Sequence, residues 1–244
     1  MLAVEGLSKE YGPETRVIDD LSFTVGRGAS LTIIGPSGCG KSTLLYIMAG
    51  LMRPTAGRVL IDGNEVVAPS RQVGFILQDF GLLPWKTVKE NLCLGMRIRK
   101  MSKEEQESRS RDILAYLGLE LHGDKFPDRL SGGERQRLAV GRALVLEPSL
   151  LLMDEPFSSL DTLTRERLQN TMLEIRSQKE LTMVTVTHSI EEAVFLGDSI
   201  MVLGGRPCNI RALIPNPGAG DPDYRNREQF FEVCRRVRRA VEAP

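Results

Sequence analysis

Gly35-Pro36-Ser37-Gly38-Cys39-Gly40-Lys41-Ser42-Thr43 fits the pattern G-x-x-x-x-G-K-[ST]. The apolar run Leu31-Thr32-Ile33-Ile34 precedes it, and Leu44-Leu45-Tyr46-Ile47-Met48 follows at helical period. Strand, glycine-rich loop and helix together make the context that a phosphate-binding loop requires. Glycines let the backbone wrap closely round an oxygen-rich anion, because they reach dihedrals that a Cβ forbids. Free N–H groups at the helix start then point at the phosphates, with the helix dipole behind them. Lys41 supplies a point charge for the β- and γ-phosphates, and the Ser42 hydroxyl suits Mg²⁺, which prefers oxygen ligands. The stretch is read as the site of a nucleoside triphosphate. Cys39 sits among those amides next to Lys41, a setting that favours a thiolate.

At 244 residues the chain can form one large α/β core, with or without a small satellite. Lys plus Arg and Asp plus Glu both number 32, so no overall field argues for nucleic acid as a partner. Cys39, Cys93, Cys208 and Cys234 are scattered with no C-x-x-C pair, which gives no metal or disulfide framework and suits a reducing compartment. Met1-Leu2-Ala3-Val4-Glu5 does not read as a secretory leader. No window approaches the roughly eighteen apolar residues of a membrane span. A soluble, cytoplasmic protein is expected.

Outward from the loop, Leu2 to Leu7 and Val17 to Val25 have β-type composition, separated by the turn signal Tyr11-Gly12-Pro13. Tyr11 reads either as an idle loop aromatic or as a stacking platform for a base. Arg58 to Val67, broken by Asp62-Gly63-Asn64, predicts a hairpin, and Val73 to Leu77 a further strand that ends in Gln78. From Thr87 to Leu119 the pattern is helical, with Ser102-x-x-Glu105 as a capping box and Gly118 as a stop. Leu130-Ser131-Gly132-Gly133-Glu134-Arg135-Gln136-Arg137 then opens a helix through Leu146, again with a capping box, Ser131 to Glu134. Two adjacent glycines weaken a helix start, yet they let an anion approach its bare amides. This predicts a second phosphate site.

Leu150-Leu151-Leu152-Met153 reads as a strand buried on both faces of a parallel sheet, and it ends in Asp154-Glu155-Pro156. Two adjacent carboxylates, in a chain with a phosphate loop, read as a magnesium-associated acid and a general base that orients water. A helix from Thr162 to Ser177 follows, then a β-branched strand, Leu181 to Thr187, ending in His188. Ligands collect at the carboxyl ends of such strands, which makes His188 a candidate. A closing hairpin, a Gly/Pro-rich linker from Pro215 to Pro222 and an arginine-rich amphipathic helix from about Tyr224 to Val241 complete the chain.

Gly35–Thr43, Gln78, Leu130–Arg137, Leu150–Pro156, Ser158-Ser159-Leu160-Asp161 and His188 occur in the order and spacing of the ABC-transporter ATPase subunit, which the chain resembles from about Leu2 to Ile214. Leu82-Leu83-Pro84-Trp85 and His188-Ser189-Ile190-Glu191-Glu192-Ala193 are similar to the importer ATPases for nitrate, sulfonates, taurine and related anions. The resemblance implies an α/β fold: a P-loop NTPase core with an antiparallel β subdomain and an inserted α-helical subdomain. Residues 1–214 would be the ATPase domain, with the helical insertion at about 86–149, and 215–244 the linker and C-terminal helix.

The same resemblance implies ATP hydrolysis coupled to solute import, at the cytoplasmic face of the inner membrane. Two copies, or this chain and a paired ATPase subunit, would face head to tail around two ATP molecules and drive a separate integral-membrane permease. A periplasmic or extracellular solute-binding protein would take part indirectly. Tyr11 would stack on adenine, and Gly35, Pro36, Ser37, Gly38, Cys39, Gly40, Lys41, Ser42 and Thr43 would hold the phosphates. Ser131, Gly132 and Gly133 would close on the γ-phosphate held by the other subunit. Ser42 would serve Mg²⁺, Gln78 and Asp154 would serve Mg²⁺ and the water, Glu155 would be the base, His188 would contact the γ-phosphate and Asp161 would couple the sites. Glu134 stands where glutamine is commonest, and its capping box would turn the carboxylate back toward Ser131. An ABC ATPase acting on DNA or ribosomes would normally show a second cassette or a long coiled-coil insertion, and a small-molecule P-loop kinase would not need Leu130–Arg137.

Overall fold

A computed structural model describes residues 1–12, 15–158 and 160–242. Pro13 of the expected turn and Ser159 of the Ser158–Asp161 stretch lie outside the described residues. Among the described residues the strands are β1 (Leu2–Glu10), β2 (Arg16–Val25), β3 (Ser30–Ile34), β4 (Ala56–Ile61), β5 (Asn64–Glu65), β6 (Val73–Ile76), β7 (Leu150–Asp154), β8 (Thr182–Thr187), β9 (Ser199–Gly204) and β10 (Asn209–Pro215). The helices are α1 (Lys41–Met48), α2 (Val88–Ile98), α3 (Lys103–Tyr116), α4 (Gly132–Leu144), α5 (Thr162–Lys179), α6 (Ile190–Leu196) and α7 (Glu228–Glu242).

The apolar runs become the middle of a six-stranded sheet in the order β10-β9-β3-β8-β7-β6, parallel except for β10. Every residue of β3, β7 and β8 is buried. Alternation decides which layer each side chain enters. Leu150, Leu152, Val184, Val186, Met201 and Leu203 join one apolar cluster with α1 and the four-stranded sheet β2-β1-β4-β5. Leu151, Met153, Met183, Ile200 and Val202 join the other, with residues of α2 to α7. The sheet is thus covered on both faces, as parallel strands require. Truncating Leu152, which is fully buried, to Ala would cost about 2–5 kcal/mol by the usual core penalty.

Residues 86–149 supply α2, α3 and α4. Their Leu92, Leu114, Leu117 and Leu138 belong to the same cluster as Leu151, so this helical segment shares its core with the sheet. Gly141 of α4 lets the helices close: a Cβ there would stand 2.7 Å from Leu117 Cδ1. The capping box expected at Ser102 is only half formed. Ser102 Oγ accepts the Glu105 N–H at 3.1 Å, while the Glu105 carboxylate turns to Arg109 at 3.0 Å, an i,i+4 pair. A complete box occurs instead at Thr87 and Glu90, which starts α2.

Two helix ends differ from expectation. The helix expected through Leu146 ends at Leu144, and Glu147 takes a left-handed φ of 50° just before Pro148, a position that disfavours helix. The last helix starts at Glu228 rather than near Tyr224, because Tyr224 is pinned in the core. Its hydroxyl donates to Asn216 Oδ1 at 2.6 Å, and Asn216 donates in turn to the Val194 and Gly197 carbonyls. Phe230, Val233, Cys234 and Val237 then dock α7 on α6 and β9, so the apolar stripe of this helix is used within the chain.

Candidate functional site

Parallel pairing brings the carboxyl ends of the central strands to one edge. Ile34 lies opposite Thr187, Val186 opposite Asp154, and Met153 opposite Ile76. The residues that follow these strands therefore collect there: Gly35 to Thr43 after β3, Gln78 beyond β6, Glu155 after β7 and His188 after β8. This is the edge where open α/β sheets hold ligands.

In the loop, Gly38 and Gly40 take φ values of 74° and 105°, the left-handed region that spares the backbone for an anion. Gly35 faces the carbonyl oxygen of Leu203 so closely that a Cβ would stand 2.6 Å from it. Pro36, Ser37 and Gly38 are exposed, whereas Cys39 and Lys41 are buried. The Lys41 ammonium folds back across the loop and donates to the carbonyls of Gly35 at 2.8 Å and Pro36 at 2.9 Å. A phosphate entering the loop offers that charge a better partner.

Asp154 is only 3% exposed. Burial pushes its carboxyl up from the ordinary range, while a hydrogen bond from Ser42 pulls it back. The hydroxyl and carboxylate thus meet beside Lys41. This donor set fits Mg²⁺, which is usually held by one or two protein oxygens together with substrate phosphates. Among the described residues no group of three or more His, Cys, Asp or Glu could hold a metal ion.

Glu155 adopts φ 47°, a left-handed conformation rare for a residue with a Cβ. Its N–H donates to the Val186 carbonyl at 3.0 Å, and its Oε2 lies 3.2 Å from His188 Nδ1. A carboxylate can only accept, so the pair keeps the imidazole proton on Nδ1 and leaves Nε2 free. The His188 side chain is 65% exposed and open to a ligand. Gln78 is exposed at the same edge. Tyr11 is 57% exposed, and its hydroxyl lies 3.3 Å from Thr43 Oγ1, which sets the ring at the flank of α1.

Ser131, Gly132 and Gly133 sit apart from this cluster within the chain. Ser131 caps α4, accepting the Glu134 N–H at 3.2 Å, and Glu134 Oε2 accepts the Ser131 N–H at 2.6 Å. Gly133 packs toward α5, where a Cβ would stand 2.9 Å from Thr164 Cγ2. Asp161 caps α5 by accepting the Thr164 N–H at 3.1 Å. Sequence reasoning overlooked three neighbours of these groups. His122 Nε2 reaches Glu134, Glu192 is buried in α6 with a hydrogen bond from Thr187, and Cys208 hydrogen-bonds Cys39. His122 and Cys208 lie in no recognisable local pattern, and the burial of Glu192, four residues past His188, is set by packing.

Residues 18–158 match the family described as ABC transporter. The chain is 42% identical over 240 residues to the taurine import ATP-binding protein TauB of Pseudomonas aeruginosa, covering 97% of this chain and 89% of that one. It is 38% identical over 244 residues to the aliphatic sulfonates import ATP-binding protein SsuB of Bacillus cereus, covering 99% and 96%. Among solved structures, the dimeric post-hydrolysis ATP-binding cassette MJ0796 bound to ADP and Pi superposes with a TM-score of 0.80 at 32% identity, covering 88% of this chain and 98% of that one. Another dimeric form of the same bacterial ABC transporter cassette gives a TM-score of 0.76 at 32% identity, over 83% and 94%.

Proposed function

The chain belongs to the ABC transporter family, and from that premise we propose that it is the ATP-hydrolysing subunit of an import system for taurine, another sulfonate, nitrate or a related small anion. It binds ATP, pairs with a second ATPase subunit and drives an integral-membrane permease. The observation that carries this reading is the convergence at one sheet edge. The Ser42–Asp154 hydrogen bond and the Glu155–His188 contact both lie beside the loop that holds Lys41. Likeness to subunits of taurine and aliphatic-sulfonate importers supports the anion class. Attachment at the cytoplasmic face of the membrane, and delivery of solute by an external binding protein, complete the proposal. Among the described residues no helix is long and apolar enough to cross a membrane.

The geometry of the edge supports the following mechanism. ATP enters with adenine on the Tyr11 ring and its phosphates in the amides of Gly35 to Thr43. Lys41 leaves the Gly35 and Pro36 carbonyls for the β- and γ-phosphates. Ser42 and Asp154, with Gln78, would hold Mg²⁺, which would supply charge neutralisation at the phosphate oxygens. Glu155 accepts a proton from the attacking water, and His188, oriented by Glu155, donates from Nε2 toward the γ-phosphate when protonated. Ser131, Gly132 and Gly133 present the amino end of α4 to the nucleotide of the partner. Residues 86–149 serve as the inserted helical subdomain that carries this turn.

The test is Glu155→Gln. It keeps size and hydrogen bonding but removes the base, so ATP stays bound and bridges two subunits. The variant should run as a monomer without nucleotide and as a dimer with ATP in size-exclusion chromatography. Adding Ser131→Arg should abolish the dimer while nucleotide binding persists. A Glu155→Gln protein that binds ATP yet stays monomeric would contradict the sandwich and favour a single-site P-loop enzyme.

A further inference from the structure

The turn between β9 and β10 lies against the phosphate-binding loop, and each contributes a cysteine. The Cys208 N–H donates to the Val17 carbonyl at 2.9 Å, and the Asp19 N–H donates to the Cys208 carbonyl at 3.1 Å. Gly40, next to Cys39, presses on the same strand: a Cβ there would stand 2.9 Å from Val17 Cγ1. Backbone contacts to one strand, β2, therefore hold the two cysteines side by side. Both are buried, at 4% exposure for Cys39 and 1% for Cys208, and both belong to one apolar cluster. The Cys208 thiol donates a hydrogen bond to the Cys39 sulfur. That bond, with the Lys41 charge and the Cys39 and Lys41 amides, holds the Cys39 thiol down to about 6 against the opposing effect of burial. Cys208, the donor, is raised. Lys41 and the loop amides thus favour the thiolate at Cys39, and the thiol is favoured at Cys208. Cys93 and Cys234 lack this arrangement: Cys93 Sγ meets Ser110 Oγ at 3.2 Å, and Cys234 lies on the buried face of α7.

We propose that Cys39 and Cys208 form a reversible intramolecular disulfide on exposure to a peroxide, and that this bond locks the loop against nucleotide. The lock rests on the nucleotide reading above; the disulfide does not. The Cys39 thiolate attacks one peroxide oxygen, the O–O bond breaks, and the departing hydroxide takes up a proton to become water. Cys39 is left as a sulfenic acid. The Cys208 sulfur then attacks the Cys39 sulfur, the S–O bond breaks, and a second water leaves with the Cys208 proton. Two thiols lose two electrons, and one peroxide gains them.

An S–S bond is about 2 Å long, so closing it draws Cys39 toward the turn. Cys39 stands between the two left-handed glycines that shape the loop, and its N–H donates to the Pro36 carbonyl at 3.3 Å. A tether at this residue holds that amide in place when a phosphate would require it to turn outward.

The full-length reduced protein is treated with hydrogen peroxide, its remaining thiols are alkylated, and peptides are mapped without reductant. A linked Cys39–Cys208 peptide is expected, reversible by a thiol reductant, with Cys93 and Cys234 recovered as alkylated. The oxidised protein should bind a fluorescent ATP analogue about tenfold more weakly or worse, as follows when a tenth or less of the loop is competent. Reduction should restore binding. Cys208→Ser and Cys208→Ala should bind the analogue like the reduced parent, and after peroxide they should yield a dimedone adduct at Cys39 instead of the linked peptide. Absence of that peptide from the wild type overturns the disulfide. A linked protein that binds the analogue as tightly as the reduced one overturns the lock and leaves the nucleotide reading intact. A reduced protein that binds no analogue defeats the nucleotide reading, and the lock with it, even where the linked peptide forms.

Discussion

His122 Nε2 lies 2.6 Å from Glu134 Oε1, while Glu134 Oε2 accepts the Ser131 N–H at 2.6 Å. Both oxygens of the carboxylate at the start of α4 are thereby engaged. The Ser131 N–H, first, and the His122 contact hold that carboxyl below its ordinary range. The carboxylate in the turn proposed to meet a phosphate is thus held on both oxygens by groups of its own chain. His122→Ala should free one oxygen and raise the KM for ATP about two- to fivefold, in keeping with a partly exposed pair. Glu134→Gln should retain the cap and near-parental kinetics. The double variant should return toward the parent, since removing the charge removes the need for its partner. Steady-state kinetics of the four proteins decide it; a double variant as impaired as His122→Ala would sink the idea.

Tyr11 offers one exposed ring face, with the Lys9 ammonium 5.4 Å from its centroid. Base stacking on an aromatic ring contributes about 1–3 kcal/mol, so Tyr11→Ala should lose that much ATP affinity in calorimetry. Tyr11→Phe keeps the ring and should bind like the parent. An equal loss in both variants would assign the effect to the hydroxyl contact with Thr43.

Trp85, the single tryptophan, is 70% exposed in the loop before α2. Its emission in the isolated subunit should be red-shifted and readily quenched by acrylamide. Where this exposed loop meets the proposed permease, Trp85→Ala should leave ATPase activity of the isolated subunit unchanged and diminish transport in the assembled system. Blue-shifted emission that resists acrylamide would contradict the exposure.

Glu192 of α6 is 6% exposed, and burial pushes its carboxyl up to about 7 although Thr187 donates a hydrogen bond and Arg165 is nearby. The folded protein therefore holds a proton that the unfolded chain releases near its ordinary value of 4.5. Stability from this group is highest at and below that value, falls as the pH rises toward about 7, and stays low above it. Glu192→Gln removes the titration. The variant should be more stable than the parent at pH 8, by roughly 3 kcal/mol at most, with the gain shrinking toward pH 5. Thermal melts across that range test it, and a gain independent of pH would refute the assignment to Glu192.

Much of the fold was legible because its signals are local. The double-sided burial of Leu150 to Met153 follows from an uninterrupted apolar run, and the stop at Gly118 from its φ of 62°. Ser102 was misjudged because the sequence does not show that Arg109 competes for Glu105. The start of α7 was misplaced because the anchor of Tyr224 is Asn216, a residue with no helical relationship to it.

The sequence by itself determined the strand, loop and helix around Lys41, since that motif is a local set of dihedrals written in Gly38, Gly40 and their neighbours. It also determined the Ser131–Glu134 cap, whose two partners are one helical turn apart. Only the tertiary structure decided which groups meet across the chain. Glu155 and His188 are 33 residues apart and touch because β7 and β8 are adjacent and parallel. Cys39 meets Cys208 because both the phosphate loop and the β9–β10 turn contact β2. Periodicity tells a strand which faces it buries, but strand order and register are set by the packing of the whole sheet, and these decide which strand ends become neighbours.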